Sequence, residues 1–88
     1  MGHYNETWKG VGKTVREAES DAVGRFFHEN GHRCNVRGTR LLSSERVPPK
    51  KWAPLPGGPK DHLHYVEDKE APQSEWVLSC EFDIAFHC

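Results

Sequence analysis

Apolar side chains follow two different periods along this chain, and the switch between them outlines the fold. Residues 3–9 alternate, with Tyr4 and Trp8 on one side, which predicts a strand. Gly10-Val11-Gly12 ends it. From Val15 the spacing changes to three and four: Val15, Ala18, Ala22 and Phe26, flanked by Val23 and Phe27. Arg16, Glu17, Ser20, Asp21 and Arg25 fill the opposite face, so this stretch predicts an amphipathic helix. Thr14-Val15-Arg16-Glu17 has the form of a capping box, and Asn30-Gly31 supplies a stop. Period two returns over 32–41, with Cys34 and Val36 inward and Arg33, Asn35 and Arg37 outward. Gly38 is read as a bulge that returns Leu41 to the core side. The strongest alternation lies at 75–87, where Trp76, Leu78, Cys80, Phe82, Ile84 and Phe86 interleave with Val77, Ser79, Glu81, Asp83, Ala85 and His87. That is the pattern of a strand with one buried and one wet face.

Between these strands the pattern fails. Pro48, Pro49, Pro54, Pro56 and Pro59 with Gly57 and Gly58 exclude a helix or a central strand there. Residues 43–75 therefore read as a long Pro/Gly-rich insertion, of the length that in compact domains is functional or unstructured. Trp52, Leu55, Leu63, Tyr65 and Val66 suggest that part of it packs down, with an extra short edge strand at Leu63–Val66. The expectation is an α+β fold: one domain over 1–88, with one helix on a three-stranded mixed sheet. The chain order is β-α-β-loop-β and the sheet order 1-3-2. A right-handed crossover makes the outer strands parallel, and the longest strand runs antiparallel between them. The expected core is Tyr4, Trp8, Val15, Ala18, Ala22, Phe26, Val36, Leu78, Phe82, Ile84 and Phe86.

Length sharpens the demands on that core. A chain of 88 residues buries only about 60–65% of its unfolded surface, so each large apolar residue counts. No apolar run reaches the roughly 18 residues a membrane helix needs. The formal charge is -1, but unevenly spread. Residues 1–60 carry 11 Lys/Arg against 6 Asp/Glu, and residues 61–88 carry 1 against 7. A basic face in the first part and an acidic one in the second are expected. The start of the chain carries no apolar export signal, and three cysteines are too few for a disulfide scaffold. The expectations are free thiols and a cytoplasmic location.

Several motifs touch on chemistry. Gly10-Val11-Gly12-Lys13-Thr14 has the tail of a phosphate-binding loop but Thr7 where the first glycine belongs. His28, His32 and Cys34, with His62 and His64, are the densest metal-ligand types, yet no C-x2-C pair accompanies them, and no metal or cofactor is expected. Cys80 and His87 fall on opposite faces of their strand. Glu81 and Asp83 share a polar face as solvated charge, so no catalytic set is expected.

Two resemblances follow. Gly10-x-Gly12-x-Thr14-x-Arg16-Glu17-Ala18-x-x-x-Ala22-Val23 resembles the opening of the last helix of double-stranded-RNA-binding domains, over about 15 residues. That implies a helix packed on its leading strand and phosphate contacts from its basic residues. Here only Arg16 is basic, and Val15 and Glu19 stand at the family's lysine positions. The β-α-β-β order, with Val36-Arg37-Gly38 and Asp83-Ile84-Ala85-Phe86, resembles dodecins. That implies assembly of copies and, in many members, flavin binding. His32 and Arg33 occupy the place of the flavin-stacking aromatic.

What remains is surface. Arg33, Arg37 and Arg40 on the second strand, and Arg46, Lys50, Lys51 and Trp52 opening the insertion, form the candidate partner-binding set. The expectation is a non-enzymatic interaction protein, of the inhibitor or adaptor type that phages encode, docking onto a protein or nucleoprotein. The alternatives are a nucleic-acid-binding module on the basic strand face and loop, and a dodecin-like ligand-binding assembly. A homo-oligomer fits all three, because an edge strand in a small sheet invites a partner.

Overall fold

In a computed structural model, residues 3–54 and 63–88 are described, His3 and His32 by backbone alone. The elements are β1 (His3–Gly12), α1 (Val15–Asn30), a 3-10 turn (Gly31–Arg33), β2 (Asn35–Val47), β3 (Lys50–Pro54), β4 (Leu63–Glu67), a second 3-10 turn (Gln73–Glu75) and β5 (Val77–His87). They divide into two compact units: residues 1–46 with 77–88, and residues 47–76.

The first unit is a three-stranded sheet in the order β1-β5-β2, with α1 on one face. This is the expected order. Every neighbouring pair is antiparallel, so "mixed" describes only the outer strands, which do not touch. β1 and β5 pair along their whole length, from His3 opposite His87 to Gly12 opposite Leu78. The helix begins as its sequence requires. The Thr14 hydroxyl accepts from the Glu17 amide at 3.1 Å, and the Glu17 carboxylate accepts from the Thr14 amide at 3.1 Å. It ends at Gly31, whose φ of 71° favours a residue without Cβ and whose N–H returns to the Phe27 carbonyl.

The core is Ala18, Ala22 and Phe26 of α1 with Cys34, Cys80, Phe82, Ile84 and Phe86, edged by Trp8, Val23, Phe27, Val36 and Leu78. Phe26 is its hub. Its ring lies 4.8 Å from that of Phe86, 5.4 Å from Phe27, and 6.0 Å from Trp8 in an edge-on contact. Tyr4 and Val15 do not join it. Tyr4 is half exposed near the end of an edge strand, its ring 5.5 Å from Phe86, and Val15 opens the first helical turn. Leu41 also stays out, at 43% exposure. β2 runs straight through Gly38 to Val47, so residues 43–47, expected in the insertion, are strand.

The three cysteines divide differently from expectation. Cys34 and Cys88 form a disulfide, and only Cys80 is free. The bond ties the residue before β2 to the residue after β5, positions that adjacent antiparallel strands bring together.

The second unit contains a two-stranded antiparallel sheet, β3 with β4, in register from Lys50 opposite Glu67 to Pro54 opposite Leu63. The short strand expected at 63–66 is present, but it pairs with β3 and adds no edge to the three-stranded sheet. Prolines are compatible with β3 because a two-stranded ribbon has only edges. The Asp68 amide donates to the Pro49 carbonyl at 2.8 Å, and the Trp76 indole N–H to the Ala71 carbonyl at 3.0 Å.

Candidate functional site

The side chains singled out from sequence are spread over both units. Arg33 lies in the 3-10 turn before β2. Arg37 and Arg40 are both on β2, but three residues apart, which places them on opposite faces of a strand. Arg46 is the next-to-last residue of that strand. Arg37, Arg40 and Arg46 share an edge strand, on which Arg37 and Arg40 take opposite faces.

The fold brings some of the chain's basic and acidic parts together. β5, from the acidic end, runs beside β1, from the basic end. On the sheet face away from α1, Lys9 meets Glu81 at 3.8 Å and the Asn5 amide donates to Asp83 at 3.0 Å. In the second unit Lys51 meets Asp68 at 3.3 Å, and Lys50 stands opposite Glu67. A shallow polar depression of about 210 Å³ on the first unit is lined by Lys9, Ser43, Ser44, Glu45, Ser79 and Glu81, with no apolar wall.

The Gly10–Thr14 stretch has a structural task. A Cβ on Gly10 would fall 2.6 Å from the Ala22 nitrogen and 2.9 Å from its Cβ; one on Gly12 would fall 2.6 Å from the Glu17 Cβ. The two glycines let α1 lie directly on β1. The amides that a phosphate loop would turn toward its ligand are engaged by the chain's own carboxylates. Val11 N–H donates to Asp21 at 2.8 Å, and Lys13 N–H to Glu17 at 2.9 Å.

The β3–β4 ribbon carries three of the exposed large hydrophobic residues, Trp52, Leu63 and Tyr65. Alternation along both strands puts Lys50, Trp52 and Pro54 on one face with Leu63, Tyr65 and Glu67, and all six are exposed. At its centre Trp52 and Tyr65 stand directly opposite each other, with ring centroids 4.7 Å apart and planes 22° from parallel. Trp52 is 62% exposed and Tyr65 57%. A cross-strand aromatic pair is a strong stabiliser of a ribbon, and it also offers a broad, rigid, amphipathic surface. Sequence reasoning singled out Trp52 but took Tyr65 only as packing. The missed signal was two five-residue strands flanking a turn-forming stretch, with one aromatic at the middle of each.

Among the described residues no group of three or more His, Cys, Asp or Glu converges as metal ligands. His28 is in the last turn of α1 and His64 is on β4. His62, Leu55 and the Pro56-Gly57-Gly58-Pro59-Lys60 run lie outside the described residues, as does the side chain of His32. Among the same residues no helix is long and apolar enough to cross a membrane. Burial holds the Cys80 thiol above its ordinary pKa, which keeps it protonated and unreactive. No family model, curated protein or solved structure matches the chain.

Proposed function

We propose that the chain is a non-enzymatic docking module that engages a protein partner through the exposed face of its β3–β4 ribbon. The observation that carries this reading is the stacked, solvent-facing Trp52–Tyr65 pair, flanked by Pro54 and Leu63. Buried aromatic anchors dominate protein interfaces, and a pair already stacked loses little freedom on binding. The ribbon's cations favour a protein over nucleic acid. Among the described residues this face carries one cation, Lys50, which stands opposite Glu67, and Lys51 on the other face is paired with Asp68, so no run of positive charge there follows a phosphate backbone. An inhibitor or adaptor role is compatible with this surface. The disulfide removes the free-thiol argument for a cytoplasmic site of action, and an oxidising compartment is the reading it favours.

The test compares the whole chain with a Trp52→Ser/Tyr65→Ser variant, both immobilised, against host extract at low and at physiological salt. Fluorescence anisotropy against short duplex and single-stranded nucleic acids runs in parallel. Proteins retained by the wild type at both salts and lost from the variant support the reading. An unchanged protein set, or salt-sensitive nucleic-acid binding that the variant keeps, overturns it.

A further inference from the structure

The two outer strands of the three-stranded sheet are held in different ways. β1 lies under α1: Gly10 is buried beneath Ala22, and the Trp8 ring meets Phe26 edge-on at 6.0 Å. β2 forms the other edge, and none of its 13 residues is buried. Its apolar contribution to the core is Val36, which is partly buried, and at Gly38 an added Cβ would meet nothing within 4 Å. Among the described residues from 31 to 76 one is buried, Cys34, immediately before β2. Cys34 is bonded to Cys88, immediately after β5. By the backbone, the end of β2 reaches the start of β5 only through residues 48–76, whereas the disulfide joins the start of β2 directly to the end of β5. A direct tether removes most of the freedom a detached strand would gain, and a long one removes less.

We infer that the Cys34–Cys88 disulfide is a redox switch for β2: with the bond formed β2 belongs to the sheet, and with the bond reduced β2 leaves it while α1, β1 and β5 stay folded. Apart from Cys34, every residue of the buried hydrophobic core belongs to α1 or β5, and β1 pairs with β5 along its whole length. The part of the domain that remains therefore keeps its core. The co-reactant is a dithiol. One of its thiols, as the thiolate, attacks the bond at Cys88, the exposed residue of the pair. The S–S bond breaks, Cys34 leaves and takes up a proton, and a mixed disulfide forms at Cys88. The second thiol of the reductant then displaces Cys88, which takes up the other proton. Two electrons and two protons pass to the protein, and the reductant departs as its own disulfide. A disulfide oxidant runs the same steps backwards. An oxidising compartment holds β2 in place and a reducing one opens it. This inference does not rest on the ribbon's role in docking.

The experiment is amide hydrogen exchange of the full chain read by NMR, oxidised and then reduced with dithiothreitol, below the melting temperature of the reduced form. Reduction should speed exchange of the β2 amides that pair with β5 by roughly a hundredfold, to near the rate of an unstructured chain. The paired amides of β1 and β5 and the interior of α1 should stay protected. Cross-strand proton contacts between β1 and β5 should persist while those between β2 and β5 vanish. Reoxidation should restore both. Cys34→Ser/Cys88→Ser should show the reduced pattern without any reductant. Protection of β2 that survives reduction overturns the inference. So does exchange that rises to the unstructured rate in every element together, since the bond would then brace the whole domain and gate no single strand.

Discussion

Gly10 of β1 lies directly beneath Ala22 of α1, close enough that a methyl group on Gly10 would fall 2.6 Å from the Ala22 nitrogen. The obstacle is helix backbone and cannot swing aside. Gly10→Ala must therefore lift the helix off the sheet and is expected to cost about 3 kcal/mol or more, at the upper end of overpacking effects. Gly24→Ala is the matched control. That position is exposed within α1 and a Cβ there meets nothing within 4 Å, so it should stabilise by roughly 0.5–1 kcal/mol. Denaturant unfolding of the two variants should move in opposite directions.

The Cys34–Cys88 bond closes a loop of 54 residues in sequence. The chain-entropy relation gives about 4 kcal/mol for such a loop. In a domain with so few core side chains this is a large share of the total. Cys34→Ser/Cys88→Ser, or simple reduction, should lower the melting temperature by more than 10 °C. The check is thermal unfolding with and without reductant; an unchanged midpoint would mean that the core alone holds the strands.

Cys80 gives a pH signature. Its thiol is fully enclosed and its pKa is raised by desolvation. The folded state therefore holds the proton more tightly than the unfolded chain. The associated stability is complete below the ordinary thiol range, and it is lost as the pH rises through that range toward the raised folded value. Stability should fall on the alkaline side, and Cys80→Ala should flatten that fall while costing some packing. In the native protein at neutral pH a thiol reagent should titrate no cysteine, and one after unfolding without reductant.

How much of this was legible beforehand depends on range. The helix from its Thr14–Glu17 cap to the Gly31 stop, and the central strand through Phe82 and Ile84, are written in local spacing, and they fold as read. So does the sheet order, because the longest apolar strand has most to gain from two neighbours. What could not be read are pairings between distant residues. Cys34 and Cys88 become partners only once β2 and β5 are known to be antiparallel neighbours. Trp52 and Tyr65 become a surface only once β3 and β4 are in register. Arg37 and Arg40 part for a local reason: a three-residue step reverses the face on a strand. The prolines of the insertion excluded a central strand, and they left a two-stranded ribbon open, which sequence reasoning did not weigh.

The ribbon's independence follows from the same topology. β2 and β5 are adjacent and antiparallel, so the end of one lies near the start of the other, and residues 48–76 interrupt what would otherwise be a hairpin. Among the described residues, the buried core takes none from that interval. Replacing 48–76 with a short Asn-Gly-type turn suits the right-handed twist of the joined strands and shortens the loop the disulfide must close. The shortened chain should keep its near-ultraviolet spectrum, its protected central-strand amides and its Cys34–Cys88 bond, with a melting temperature within a few degrees of the parent. It should also lose the protein partner proposed for the Trp52–Tyr65 face. If it unfolded instead, the ribbon would be a structural brace for the strands it joins, and the exposed aromatics would owe their place to that bracing.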